Sequence, residues 1–345
     1  MIRRETQRGG TDLEVAMRIA RVVVAALAAC LPGAAPAADD AAGQPSSSTA
    51  WTAMPSGTME NLIGVWGASG QDVFAVGTKG TILHFDGQSW APMRFEGTPH
   101  LVGVWGASGR DVFAIGDGGV ILHYDGAAWS AMESGTTQNV VGIWGTSGTD
   151  VFAVGYGGTL LHYDGKAWMA MTAGTTSDLF GVWGTSASNV LAVGGTPMPL
   201  PGQGAILRFD GRSWSPIASG PSAFLAGVWG TSSSDVFAVG VGLTILHYDG
   251  AAWTSMPAGA SVAPDKLGLL TRMWGSGPND VFAVGFDGVL LHYDGKAWAP
   301  RSPGTDRNLN GVWGYSPHDV FVVGGGGLIL RYSGGPAGAG STPSR

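Results

Sequence analysis

Cysteine is almost missing from this sequence, since Cys30 is the only one in 345 residues. A folded body downstream of Cys30 can therefore hold no disulfide bond and no cluster of cysteine metal ligands. The apolar run near the N-terminus, residues 22–29, is shorter than the ~20 residues that cross a bilayer. We therefore predict no transmembrane span, and packing must supply the stability.

Charge is also scarce, because Asp, Glu, Lys and Arg make up 12% of the chain and the net charge is −7. With 18 Lys and Arg residues in total, no basic footprint is available to neutralise phosphates, which argues against nucleic acid as a partner. Apolar residues nevertheless make up 44% of the chain and Gly occurs 59 times. This composition favours buried strands joined by many short turns.

Glutamate is sparse where catalysis would need it, with only Glu60, Glu96 and Glu133 between residues 51 and 335. A glycosidase requires two carboxylates at a set separation, and no G-x-S-x-G or H-E-x-x-H motif is present. We predict a non-catalytic protein with no cofactor and no metal. A hydrolase whose catalytic groups converge from distant segments stays open as an alternative.

The N-terminal segment has the order of a secretory signal. Arg18 and Arg21 precede the apolar run 22–29, and the small residues of Ala35–Ala37 follow it. We assign residues 1–37 to this signal region, with Met17 as the expected start, and residues 38–50 to a flexible linker. The protein is expected to be secreted, periplasmic or on the cell surface.

The position of Cys30 leaves two interpretations open. Residues 27–30 read Leu-Ala-Ala-Cys, which resembles a bacterial lipobox whose cysteine is lipidated and becomes the first residue. Alternatively, Cys30 lies in a signal peptide that is removed. The protein is therefore either anchored through Cys30 or released.

A repeat of about 40 residues organises the rest of the chain. Trp-Gly pairs recur at intervals of 39 residues, except for a fourth interval of 46 and a fifth of 45. A second tryptophan series has the same period, and the two series account for all 14 tryptophans. The first series is Trp66, Trp105, Trp144, Trp183, Trp229, Trp274 and Trp313, and the second is Trp51, Trp90, Trp129, Trp168, Trp214, Trp253 and Trp298.

Each repeat contains four short apolar runs separated by glycine-rich or polar turns, which is typical of strands. The runs are continuous rather than alternating, so both faces of each sheet must be covered. A period near 40 with four strands per unit indicates a β-propeller blade. We therefore predict an all-β, seven-bladed propeller of four-stranded antiparallel blades at residues 51–335, followed by a disordered tail at 336–345.

The two ends of the repeat region are complementary. The last repeat stops near Tyr332 without its tryptophan strand, whereas Trp51–Met54 is such a strand without a blade before it. We predict that this N-terminal strand completes the seventh blade, which closes the ring and removes two open sheet edges.

The pattern VFAVG, ILHYDG, Trp and Met resembles a kelch or Asp-box (BNR-type) blade within the WD40/YVTN-like superfold, and the resemblance covers residues 51–335. Members of this superfold range from lectins and sialidases to scaffolds, so the architecture does not select a function. Most blades lack the double glycine of kelch, and the hairpins lack the Ser or Thr of an Asp box.

Residues that recur in every blade are expected to hold the blade together. We interpret the histidines of the third strand, such as His84, as hydrogen-bonding residues near the sheet edge. The aspartate before each second strand, such as Asp72, is interpreted as a turn residue that bonds local backbone amides. A calcium ring formed by these aspartates is the alternative. The tryptophans are interpreted as core.

Function is expected where the blades differ. The longer repeats carry seven extra residues near 195–204 and six near 261–267, and strand order places both on the same rim. The candidate ligand-binding residues on this rim are Lys79, Asp117, Tyr156, Met198, Leu200, Gln203, Asp265, Lys266, Phe286, Asp287 and Arg307.

Two kinds of partner fit such a rim. A scaffold would bind a protein at the cell envelope through one asymmetric patch, and a lectin would bind glycans through several similar weak sites. We predict a monomer that binds protein, with glycan binding as the alternative.

Overall fold

The computed structural model describes residues 51–196, 203–217, 223–259 and 268–334, which form seven four-stranded antiparallel sheets. The prediction of an all-β, seven-bladed propeller is confirmed. Within these residues, no helix has the length and apolarity that a membrane crossing requires. The predictions for residues 1–50 and for the tail at 336–345 lie outside the described residues.

The strands follow one another blade by blade. The N-terminal strand and blades one and two contain β1 (Trp51–Ala53), β2 (Leu62–Ser69), β3 (Asp72–Gly77), β4 (Ile82–Phe85), β5 (Trp90–Pro92), β6 (Leu101–Ser108), β7 (Asp111–Gly116), β8 (Ile121–Tyr124) and β9 (Trp129–Met132). Blades three and four contain β10 (Val140–Ser147), β11 (Asp150–Gly155), β12 (Leu160–Tyr163), β13 (Trp168–Ala170), β14 (Asp178–Ser186), β15 (Asn189–Thr196), β16 (Gln203–Phe209) and β17 (Trp214–Pro216). Blades five to seven contain β18 (Leu225–Ser232), β19 (Asp235–Gly240), β20 (Ile245–Tyr248), β21 (Trp253–Ser255), β22 (Leu270–Gly277), β23 (Asp280–Gly285), β24 (Leu290–Tyr293), β25 (Trp298–Pro300), β26 (Leu309–Ser316), β27 (Asp319–Gly324) and β28 (Ile329–Tyr332).

The second strand of each blade is buried on both faces, which explains its continuous apolar sequence. In β3, every residue after Asp72 is buried, because the neighbouring blades cover both sides of the sheet. In six blades, a short 3-10 turn joins the second strand to the third. These turns are Thr78–Gly80, Asp117–Gly119, Tyr156–Gly158, Val241–Leu243, Phe286–Gly288 and Gly325–Gly327.

Blade four replaces this turn with a longer hairpin. Its second and third strands, β15 and β16, continue pairing as far as Thr196 and Gln203. The first predicted insertion therefore begins as an extension of the sheet, and residues 197–202 lie outside the described residues.

The ring is closed as predicted, by pairing between the two ends of the described chain. Strand β1 joins the sheet of blade seven next to β28, with Trp51 opposite Tyr332 and Ala53 opposite Leu330. Trp51 is buried, and its ring lies 6.0 Å from that of Phe282 in blade six. The closing strand thus forms part of the core and removes the open edge of the sheet.

The Trp-Gly pair forms the main contact between first strands. The tryptophan ring of each blade lies over the glycine of the next, as Trp229 does over Gly275. A Cβ atom added at any of these seven glycines would lie 2.5–2.8 Å from that ring. Glycine is required because no side chain fits beneath the indole.

Deletion of Trp51–Met54 should destabilise the whole propeller. Loss of a buried tryptophan alone costs about 3–5 kcal/mol, and the deletion also exposes the edge of β28. We expect a large fall in the free energy of unfolding, measured by urea denaturation. Thr52→Ala, on the exposed face of the same strand, is the control and should change this free energy by less than about 0.5 kcal/mol. An unchanged melting temperature after the deletion would contradict ring closure.

Gly275→Ala should also be destabilising. The added Cβ would lie 2.5 Å from the Trp229 ring and 2.7 Å from the carbonyl oxygen of Asp280, an overpacking expected to cost about 1–3 kcal/mol. Gly277 is two residues further along β22 and has open space around its Cβ position. Gly277→Ala is thus the matched control, and equal melting temperatures for the two variants would disprove the packing argument.

Candidate functional site

The loops that enter each blade and the turns between second and third strands share one rim, here called the upper rim. Side chains that precede a first strand accept hydrogen bonds from the turn amides of the preceding blade. Five such bonds, 2.8–3.3 Å long, connect Lys79 N to His100 Nδ1, Gly118 N to Asn139 Oδ1, Gly157 N to Asp178 Oδ1, Asp287 N to Asn308 Oδ1, and Gly326 N to Asn61 Oδ1. These bonds link neighbouring blades around the rim.

The polar ring is interrupted in blades five and six. There the equivalent positions are Phe224 and Leu269, both fully buried. They belong to an apolar cluster with Phe180 and Phe286, and the rings of Phe180 and Phe224 lie 4.8 Å apart. The upper rim is therefore polar over one arc and apolar over another.

The polar arc contains an acidic group around Tyr156. Burial, followed by the charges of Asp178 and Asp117, raises the pKa of Tyr156 to about 12. Burial also raises the pKa of Asp117, although His100 acts in the opposite direction. Oδ1 of Asp117 is buried and has no hydrogen-bond partner within the described residues. Because buried polar atoms in folded proteins are normally hydrogen-bonded, this carboxylate oxygen is an unsatisfied acceptor.

Lys79 and Arg307 are the exposed cations among the predicted rim residues. Lys79 Nζ lies 2.9 Å from Glu60 Oε1, and hydrogen bonds from Lys79 and then Thr78 lower the pKa of Glu60. Arg307 is exposed, and its guanidinium reaches the carbonyl oxygen of Gly326 at 3.5 Å. Both cations lie on the upper rim, Lys79 in the turn of blade one and Arg307 in the loop that enters blade seven.

The other predicted residues have different surroundings. Gln203 is exposed at the start of β16, and Asp287 occupies a left-handed turn position with a φ of 57°. Phe286 is only 5% exposed, so it supports the rim from below. Five of the predicted site residues lie outside the described residues: Cys30, Met198, Leu200, Asp265 and Lys266.

A central channel runs beneath the upper rim, and among the described residues that line it Arg272 is the one charged side chain. The first strands line a cavity of about 150 Å³, and six of the seven blades carry glycine at the position of Arg272. Its guanidinium donates to Ala226 O and Thr271 O at 3.0 Å and to Val141 O at 3.1 Å. Because Val141 belongs to blade three and Arg272 to blade six, the side chain bridges the channel.

Arg272 has no carboxylate partner within the described residues. Burial lowers its pKa to about 10, so the guanidinium is still cationic at neutral pH. The Arg272 side chain is half-buried, and its exposed part faces the channel cavity. Three backbone carbonyl oxygens stabilise the cation in place of an acid.

The repeated histidines and aspartates lie at the opposite, lower rim. The histidine prediction is confirmed, since Nε2 lies 2.7 Å from Oδ1 of an aspartate on the adjacent strand in five blades. These pairs are His84 with Asp72, His123 with Asp111, His162 with Asp150, His247 with Asp235, and His292 with Asp280. In blade seven, Arg331 pairs with Asp319 instead.

The turn interpretation of these aspartates is wrong. In the first blade, the backbone amide of Gln71 in the turn donates to Ser69 Oγ at 3.2 Å. Asp72 is therefore not the acceptor of this amide, and its carboxylate pairs with His84 instead. The strand register explains the pairing of Asp72 with His84. Phe74 lies opposite His84, which brings Asp72, two residues earlier on the same strand, within reach of the imidazole ring. The described residues contain no group of three or more His, Asp, Glu or Cys side chains that could hold a metal.

The second tryptophan series is core, as predicted. All seven of its members are 2–8% exposed. Their rings pack against the neighbouring blade, so they are not available for stacking on a sugar.

Comparisons with known proteins reveal the fold but no family. No family model and no curated protein matches the chain. Among solved structures, Ycf48 bound to D1 peptide has a TM-score of 0.67 at 18% identity and covers 84% of this chain and 98% of its own. Ycf48 from Cyanidioschyzon merolae has a TM-score of 0.64 at 18% identity, covering 82% and 98%. The WD40 propeller domain of Doa1 has a TM-score of 0.68 at 12% identity, covering 83% and 96%. At these identities the likeness establishes the β-propeller architecture alone.

Proposed function

We propose that this protein is an exported, non-catalytic propeller of the cell envelope that binds a protein segment on its upper rim. The observation that carries this proposal is the asymmetry of that rim. Five blade-to-blade amide bonds form its polar arc, whereas Phe224 and Leu269 replace them in blades five and six. Strand order in the sequence predicts that both longer loops enter the same rim near this break.

The polar arc offers a specific contact to a bound segment. The buried Oδ1 of Asp117 lacks a partner within the described chain, and the carboxylate of Asp178 lies on the other side of Tyr156. A segment carrying an amide or cationic donor would stabilise Asp117 once the turn Asp117–Gly119 shifts to uncover this oxygen. The Ycf48 structure with a bound peptide has the same fold, which supports a peptide segment as the kind of partner.

Binding is favoured over catalysis because the polar groups of the upper rim are engaged in holding it together. Asp178 accepts the Gly157 amide at 2.8 Å, and Glu60 is bonded to Lys79 and Thr78. General acid or base residues need to be free to reach a substrate proton. Asp178 and Glu60 instead link turns to entering loops.

Photo-crosslinking from two positions of blade three tests this proposal. Gln138 is exposed on the upper rim and Lys166 is exposed on the lower rim. We expect p-benzoylphenylalanine at position 138 to crosslink one envelope polypeptide in a saturable manner, and the same residue at position 166 to give none. Asp117→Asn, which keeps the side-chain shape and removes the charge, should reduce the yield at position 138 several-fold. Equal yields from both positions would contradict an upper-rim site.

A glycan array probed with the same protein separates the two classes of partner. Hapten-inhibitable binding that survives Asp117→Asn would replace the protein-binding proposal with a lectin. A blank array together with a crosslinked polypeptide supports the scaffold.

The proposed export leads to a separate prediction, which concerns the fate of Cys30. If Cys30 is lipidated, the protein labels with radioactive palmitate and fractionates with membranes, and Cys30→Ser abolishes both. If the cysteine is removed with the signal, the wild type carries no label and is soluble after export. Recovery of the unprocessed chain in the cytoplasm would refute export in either form.

A further inference from the structure

Six of the seven seams between blades are sealed by the same set of aromatic rings. A phenylalanine of the second strand lies 5.6–6.1 Å from a Tyr or Phe ring and 6.0–6.4 Å from a Trp ring of the next blade. These sets are Phe74 with Tyr124 and Trp129, Phe113 with Tyr163 and Trp168, Phe152 with Phe209 and Trp214, Phe237 with Tyr293 and Trp298, Phe282 with Tyr332 and Trp51, and Phe321 with Phe85 and Trp90.

The seam between blades four and five lacks this phenylalanine, because Leu191 occupies its position. A cavity of about 250 Å³ lies there, walled by Leu191, Ile217, Tyr248 and Trp253. Among the described residues no ring contact crosses this seam to Tyr248 or Trp253, although Trp183 of blade four also lines the cavity. The indole N–H of Trp253 is buried without a hydrogen-bond partner, as are those of Trp90, Trp168 and Trp298 in seams that contain the phenylalanine.

Blade four also lacks the aspartate that the other blades carry at the start of the second strand, because Asn189 replaces it. In blade seven, Arg331 donates to both carboxylate oxygens of Asp319, at 2.7 and 3.1 Å, and lies 4.9 Å from the centre of the Phe321 ring. In blade four, Arg208 lines the cavity, but its Nε donates to the neutral Asn189 at 3.1 Å. Within the described residues, no carboxylate forms an ion pair with Arg208.

Among the described residues, Arg208 therefore has neither a ring to stack on nor a carboxylate to pair with, whereas Arg331 of blade seven has both. We propose that the seam between blades four and five is a binding site for a small aromatic carboxylate. Its ring takes the place that phenylalanine fills in the other six seams, against Tyr248 and Trp253. Its carboxylate pairs with the guanidinium of Arg208.

The size and lining of the cavity favour a single-ring ligand. Drug-sized ligands occupy pockets of about 300–1,000 Å³, and 250 Å³ is just below that range. The walls are mostly apolar or aromatic, and the polar residues of the lining are Ser233 and the hydrogen-bonded pair Arg208 and Asn189. This arrangement suits a ligand with one apolar and one anionic end. The site is at the lower rim, so it is independent of the proposed protein-binding rim.

Calorimetry with phenylacetate tests the site. We expect saturable binding to the wild-type protein and at least tenfold weaker binding of 2-phenylacetamide, which has the same ring without the charge. Leu191→Phe restores the missing ring and should abolish binding while raising the melting temperature. Asn189→Asp gives Arg208 the counter-ion that Arg331 has, and should weaken phenylacetate binding at least tenfold.

Phe321→Leu is the matched control, because it opens the equivalent gap in blade seven while Asp319 still neutralises Arg331. Combined with Leu191→Phe, it should not restore phenylacetate binding. Absence of saturable binding to the wild type would overturn the proposal, as would equal affinities in the wild type and Asn189→Asp. Since Asn189→Asp alters only a partly exposed polar side chain, it provides a test even if Leu191→Phe fails to fold.

Discussion

The structure depends on the packing of a tryptophan of each first strand over the glycine of the next blade. This contact repeats at all seven seams, and a Cβ atom at the glycine would lie within 2.8 Å of the ring. Blades can approach so closely only because the glycine has no side chain, and the indole then covers the strand beneath it. The seventh contact, of Trp313 with Gly67, joins the two ends of the ring. The N-terminal strand β1 adds hydrogen bonds to this closure.

Once the blades are held at this distance, the remaining seam contacts can differ from blade to blade. Five upper-rim amides bond a polar side chain of the following blade, and two positions carry Phe224 and Leu269 instead. Six seams contain a phenylalanine, and one contains Leu191 and a cavity. The repeated contacts account for the fold, so the departures from them are where binding is to be sought. The seam proposed as a ligand site is such a departure, and the rim proposed to bind protein contains one at Phe224 and Leu269.

Much of the fold could be predicted because a propeller repeats its sequence with its structure. The strand pattern, the number of blades and the closing strand Trp51–Ala53 all follow from the tryptophan series. The site could be predicted only in part. The aspartates such as Asp72 were misread because their histidine partners are on another strand, and Phe286 is buried although its turn is at the rim. Arg272 was missed, although a comparison of first strands would have revealed it as the single exception to glycine.

The sequence by itself determined the architecture, because strand period, turn glycines and repeat length are local properties that each blade carries independently. The tertiary structure alone decided which residues of different blades meet. Arg272 reaches Val141, 131 residues away, because the ring brings blades three and six to opposite sides of one channel. Trp253 lines a cavity because the preceding blade carries Leu191 where six others carry phenylalanine. Such contacts depend on the closure of the ring, and the local pattern of any single blade does not contain them.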